Sequence, residues 1–398
     1  MSQTNSGTFN FTLVQIGAIV VAIVGIILGT LGAASDLDRF YQVYLFAFLF
    51  WLTLAQGCLI WLLLGSVFDS RWVYNLKRLA AAGARTMPLL GLLAIPLLVS
   101  QPEVFPWAKE GVELGAEKEV YLNQAFFALR SLIYFLVWTV LAYVLSEWDY
   151  AADRGENTRA RVQPVAILGI VLYFITATFA AFDWMLSLDY NSFSSIFGWL
   201  AMSQQALAGL GFLLMVLALF WTTAPMVNIA TPKAIGDLGA LLLVSLMTWG
   251  YLNFMQFIVI WSGNIPEKAN LYAIRFNAAW EGYSIVMVAL HFIAFVLLIL
   301  PGVKRMRPAL AVLGGGLLLL RVVEMYWIVM PPFYDNLRIE VWDFALILGF
   351  GGFWVALFLW SLARQPLLPE NDPSLEGHLA RPDHEVYAPD GTVRPAYE

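Results

Sequence analysis

A chain of 398 residues that is 60% hydrophobic and only 13% charged cannot cover a soluble surface, because soluble domains carry about 25% Asp, Glu, Lys and Arg. With a mean hydropathy of +0.73 and charges bunched between apolar runs, it reads as an all-α polytopic membrane protein. A net charge of −6 spread over loops and an acidic tail gives a nucleic acid nothing to bind.

Ten runs reach the roughly 20 mostly apolar residues that a membrane span requires. They cover residues 11–34, 40–66, 80–100, 123–146, 163–183, 194–221, 237–262, 277–301, 308–330 and 341–363. Residues 1–10 hold no Lys or Arg, and the first run is too long for a signal-peptide core, so it is expected to remain as a span although Leu31-Gly-Ala-Ala-Ser imitates a cleavage site. The third run is interrupted by Gly83 and Pro88 and carries Arg85 in its first turns. The outer loop 101–122, with five glutamates and Trp107, is expected to rest on the membrane face. Segment 184–193 is too short to span and should form a short interfacial helical turn, with Asn191 and Ser192 capping the sixth span. Trp107, Trp148, Tyr150, Trp184 and Trp261 lie near span ends and suggest an aromatic belt. Residues 1–363 form the transmembrane domain. Residues 364–398 are polar, contain proline, and suit a disordered tail or a strap on a partner.

Orientation follows from the cations. With both termini in the cytoplasm, fourteen Lys and Arg fall on the inside and six on the outside, with Arg130 and Arg321 left within spans. The cysteine and histidine counts bound the chemistry. Cys58 is alone, so the chain can form no internal disulfide, no iron–sulfur cluster and no Cys-x-x-Cys-His haem attachment. His378 and His384 lie in the tail and only His291 in an apolar run, which excludes a bis-histidine haem between spans.

Charges inside a bilayer are costly and mark function or tight pairing. At 1.5 Å per residue, Arg130 lies about 10 Å below the outer end of the fourth span and Glu281 about 6 Å into the eighth. Asp183 closes the fifth span, Arg321 and Glu324 lie in the outer half of the ninth, and Asp343 opens the tenth. These six groups define an outer-side polar site, with Asn253 and Gln256 of the seventh span at a similar depth. His291 falls just past the middle of its span, and Gln204 and Gln205 near the middle of the sixth. Arg321 and Glu324, three apart, share a helix face and suit a structural ion pair as well as a functional one. Glu281 has no cation four residues away and should find a partner on another helix or stay protonated. His291 and Glu281 lie about 15 Å apart along one helix, too far to grip one quinone head. Arg130 is expected to neutralise one of these carboxylates, Asp183 could instead cap the next segment, and His291 could be a packing residue.

Three stretches carry a resemblance. Thr178-Phe-Ala-Ala-Phe-Asp-Trp-Met-Leu-Ser-Leu-Asp with Ser194-Ser-Ile-Phe-Gly, Tyr251-Leu-Asn-Phe-Met-Gln-Phe-Ile-Val-Ile-Trp-Ser-Gly-Asn-Ile-Pro-Glu, and Glu324-Met-Tyr-Trp-Ile-Val-Met-Pro span the fifth to ninth segments. Together they resemble the second NrfD-like membrane subunit (the ActF type) of alternative complex III, a bacterial quinol:electron-acceptor oxidoreductase, within the polysulfide-reductase membrane-subunit superfamily. The resemblance implies two four-helix bundles, spans 2–5 and 6–9, with one peripheral helix at each end, in a bacterial cytoplasmic membrane. It implies no metal or haem held by this chain. Its partners would be a second NrfD-like subunit, an iron–sulfur subunit and haem c subunits, besides lipid. The expected role is assembly support and proton conduction without a redox centre; the alternatives are a quinone or quinol site in the outer half of the membrane and an independent secondary transporter, the latter disfavoured by the lack of an internal repeat.

Overall fold

The computed structural model describes residues 10–34, 36–154, 156, 158–368, 375, 385–387 and 393–395. Among the described residues, ten helices are long and apolar enough to cross a membrane, and the chain is a multi-pass membrane protein. They are α1 (Phe11–Ala33), α2 (Leu37–Val67), α3 (Arg71–Val99), α4 (Gln124–Ala152), α5 (Arg159–Asp189, its last four residues a 3₁₀ turn), α6 (Phe197–Leu217), α7 (Pro232–Gly263), α8 (Glu281–Ile299), α9 (Arg307–Val329) and α10 (Val341–Ala363). All ten expected spans are present. Their ends are set by local chemistry. Asn10, Asp36, Asn123 and Thr231 each accept a hydrogen bond from a backbone N–H three residues on, satisfying donors that a helix start leaves unpaired. Asn264 closes α7 in the left-handed region at φ 44°.

The third span differs most from the sequence reading. It begins at Arg71 rather than near residue 80, and it breaks at Arg85–Thr86 into Arg71–Ala84 and Met87–Val99. Pro88 has no N–H to bond the preceding turn, so the helix restarts there. Arg85 sits at the break over the Tyr143 ring (4.3 Å) and donates to Ser146 at 3.0 Å and to Glu147.

Helices α2 and α6 are the most enclosed and cross at Gly57 and Gly209, where a Cβ on Gly57 would collide with the Gln205 carbonyl. Helix α1 packs along α10, with Gly25 against Gly349, and otherwise faces outward. Helix α2 touches α3, α5, α6, α9 and α10; α6 touches α5, α7 and α9; α4 packs on α5 and α3; and α8 packs on α7 and α9. One end of the bundle holds both termini of the helical domain. The opposite, long-loop end is built from residues 34, 36, 100–123, 190–196, 264–280 and 330–340.

Several loop expectations change here. Trp107 is buried with Phe105, Phe127 and Trp184 rather than laid on the membrane face, because a cluster of four large rings buries more apolar area than an interface would. Trp184 and Tyr150 are likewise interior, whereas Trp261 is 70% exposed and fits the belt. The 3₁₀ turn Leu186–Asp189 occupies the expected interfacial segment, but Ser192 donates to Asp189, and α6 starts at Phe197 without a side-chain cap. In the tail, Leu368 and Leu375 are buried, and β1 (Glu385–Tyr387) pairs antiparallel with β2 (Val393–Pro395), β1 lying against α7 and residues 226–228. That strand pair has no alternation strong enough to read from the sequence. His378 and His384 lie outside the described residues.

Candidate functional site

Helices α6 to α9 converge on one carboxylate. Glu324 on α9 accepts from Gln204 Nε2 of α6 at 3.0 Å and from Trp249 Nε1 of α7 at 2.6 Å, and it pairs with Arg321 one turn earlier. Arg321 also reaches His291 Nε2 of α8 through its other Nη nitrogen. His291 Nδ1 lies 2.7 Å from the Met287 carbonyl. A carbonyl can only accept, so Nδ1 carries the proton and Nε2 is the acceptor for Arg321. The imidazole stacks on the Trp249 indole at 3.9 Å between centroids, and the Arg321 guanidinium lies 4.9 Å from the same ring. Glu324, Arg321 and His291 are each at most 3% exposed. A carboxylate and an imidazole thus sit in one guanidinium fork, deep in the span.

The sequence reading put His291 in the inner half, apart from Arg321 and Glu324. The structure corrects that separation, because neighbouring antiparallel helices of unequal length bring His291, ten residues into α8, level with Arg321, eight residues before the end of α9. A histidine–carboxylate arrangement therefore exists, formed with Glu324 rather than Glu281. Glu281 is the first residue of α8, is exposed, and has no side-chain partner among the described residues. A residue at the helix start faces the loop end, where water can hydrate it, so no interhelical partner is needed.

A second buried pair joins α4 to α5. Arg130 donates from Nε and Nη2 to the two Asp183 oxygens at 2.9 and 2.7 Å, and Tyr134 donates its hydroxyl to Asp183 at 2.7 Å. Asp183 is fully buried. The Arg130 guanidinium lies 3.9 Å from the centre of the Tyr121 ring and donates to the Tyr121 carbonyl. The expectation that Arg130 neutralises a neighbouring carboxylate is realised with Asp183, which therefore does not cap the following segment. A third pair ties α2 to α10: Arg39 donates to both oxygens of Asp343 at 2.8 Å, and Asp343 also accepts from the Glu340 backbone N–H in a capping box. Asp343, Arg130 and Glu324 belong to three separate clusters, so the six expected charges form no single chamber.

Gln256 accepts from Ser194 at 3.0 Å, and Asn253 donates to the Trp249 carbonyl at 2.9 Å. Sequence reasoning missed Trp249, Arg39, Tyr134, and a further link in which Tyr173 donates to Gln205 at 2.6 Å and Gln205 to Gln56 at 2.7 Å. Gln204 and Gln205 are neighbours that serve opposite sides of α6. Trp249 could have been found: it lies near the middle of a span, away from any belt, and a buried indole N–H needs an acceptor. At the long-loop end Arg275 donates to the Leu271, Trp327 and Ile328 carbonyls. Burial pulls its guanidinium down to about 10, which leaves it charged at neutral pH.

Beside this cluster, α7 and α8 border an apolar groove of about 820 Å³ whose walls include Trp249, Asn253, His291 and Trp327. Neither a family model nor a curated protein matches the sequence.

Proposed function

We propose that this chain is an integral, non-redox subunit of a quinol:electron-acceptor oxidoreductase of the alternative complex III class, where it supports assembly and conducts protons. The observation that carries the reading is the Glu324 cluster. Four helices spend their buried polar groups on one carboxylate and one imidazole, both held by Arg321. A proton arriving at either acceptor weakens that contact, while the guanidinium keeps its hold on the other, so the site can pass a proton without losing its cation. Both nitrogens of His291 are engaged, which favours proton handling over hydrogen bonding to a quinone head.

The motif positions support the family reading. The three stretches that carry the resemblance supply Asp183, Gln256 and Glu324, all buried, and Ser194 of the first bonds Gln256 of the second. Part of the helix packing supports the two expected bundles: α2 packs on α3, α4 and α5, and α6 to α9 close a ring, while α1 lies mainly along α10, which itself packs on α2 and α3. In this reading the termini face the cytoplasm of a bacterial inner membrane, and the long-loop end faces outward. Haem c and iron–sulfur clusters would reside in partner subunits.

The test is the proton-to-electron ratio of the whole assembly in sealed vesicles. Glu324→Gln should keep quinol-driven electron transfer within a factor of about two while lowering the ratio. An unchanged ratio in a fully assembled Glu324→Gln complex refutes proton conduction through this cluster.

A further inference from the structure

We infer that the groove between α7 and α8 receives one transmembrane helix of a different polypeptide, seated by a hydrogen bond to Asn253. The groove is bordered by two matched stripes. On α7, Leu246, Gly250, Asn253 and Phe257 recur at spacings of four, three and four; on α8, Ile285, Val288, Phe292 and Phe295 recur at three, four and three. Those are the spacings with which a third helix interlocks its side chains, and each stripe runs about 15 Å, roughly three turns. On α8, Phe292 and Val288 are 62% and 54% exposed, so that stripe is largely free. On α7, Leu246 is buried and Phe257 packs on Tyr272 and Phe276, which leaves Gly250 and Asn253 between them to meet a partner.

Two features favour a helix over a lipid chain. The Asn253 amide donates to Trp249, but its oxygen accepts nothing among the described residues, about 15 Å below the loop end of α7. Hydrocarbon cannot supply the missing donor, whereas a polar side chain on a neighbouring helix can, and such bonds hold transmembrane helices together. One turn away, a Cβ on Gly250 would meet no atom within 4 Å, leaving room for the close backbone approach that small residues allow. Ser284, His291 and Trp327, which also line the groove, are already paired. That the helix belongs to a different polypeptide rests on the reading of this chain as a subunit of a larger assembly; the proton reading can fail without affecting it.

The experiment places photoreactive benzoylphenylalanine at Phe254 or Phe292 in the full assembly in its native membrane, with Val312, 73% exposed on α9, as the control outside the groove. The expected result is a peptide adduct from a transmembrane segment of another polypeptide at the groove positions and lipid adducts at Val312. Asn253→Leu and Gly250→Leu should each lower the peptide adduct about tenfold, as expected for losing one such bond or the close approach. Asn253→Leu gives up one bond within its own helix, to the Trp249 carbonyl, and Gly250→Leu places its Cβ where no atom of this chain lies within 4 Å; equal recovery of the chain is the check on folding. Adducts in the groove only with lipid, a quinone or a second copy of this chain overturn the inference, as does a peptide adduct unchanged in both variants.

Discussion

The energetics of the Arg321–Glu324 pair can be tested by a double-mutant cycle. Arg321→Met leaves Glu324 with two neutral donors, Gln204 and Trp249, so its charge is only partly compensated; Glu324→Gln leaves the guanidinium with His291 alone. Breaking a buried pair costs about 3–5 kcal/mol, and the retained donors should hold the Arg321→Met loss to about 2–3 kcal/mol. Glu324→Gln, which strands a full positive charge, should cost about 3–4 kcal/mol. Removing both charges leaves no uncompensated ion, so the double variant should lose at least about 2 kcal/mol less than the sum of the single losses. Reversible unfolding of the chain in mixed lipid–detergent micelles measures each corner of the cycle. A coupling below about 0.5 kcal/mol, the level of independent sites, would show that the two groups do not share one buried interaction.

Asp183→Asn should destabilise by about 2–4 kcal/mol, because it strands the Arg130 charge between α4 and α5; the same unfolding assay checks it, and a loss under about 0.5 kcal/mol contradicts the bidentate pair. Gly57→Leu drives a side chain into the Gln205 carbonyl at the α2–α6 crossing and should cost at least about 1–3 kcal/mol, visible as reduced yield of folded protein; wild-type yield would mean the helices are not in contact there. Glu281→Gln, at an exposed helix start, should change stability by less than about 0.5 kcal/mol and leave turnover unaltered. A drop in turnover would make Glu281 a working residue after all.

Spans were legible because hydrocarbon imposes a single strong requirement, a long apolar run, and each of the ten runs became a helix. Ion pairs between neighbouring spans, such as Arg130 with Asp183, followed from the cost of an unpaired charge. Depth was read less well. His291 was placed by counting along its own helix, and helix α8 is short enough that a few residues of boundary error shift it past the midplane. Arg39 looked like a loop cation because its hydrophobic run begins at Phe40, yet α2 starts at Leu37 and buries it against Asp343. Glu281 differs for the opposite reason: lying four residues inside the apolar run 277–301 it looks embedded, but its helix begins there. Neutral hydrogen bonds such as Tyr173–Gln205–Gln56 leave no charge signature and could not be found by counting ionisable groups.

The most direct test is a redox difference spectrum of whatever purifies with this chain, tagged at its C-terminus, from native membranes in mild detergent. A c-type haem signal that is reduced on adding quinol, in an assembly also holding an iron–sulfur subunit, is the expected result. A colourless preparation of this chain alone, from membranes in which quinol oxidation stays with other fractions, would contradict its place in such a complex.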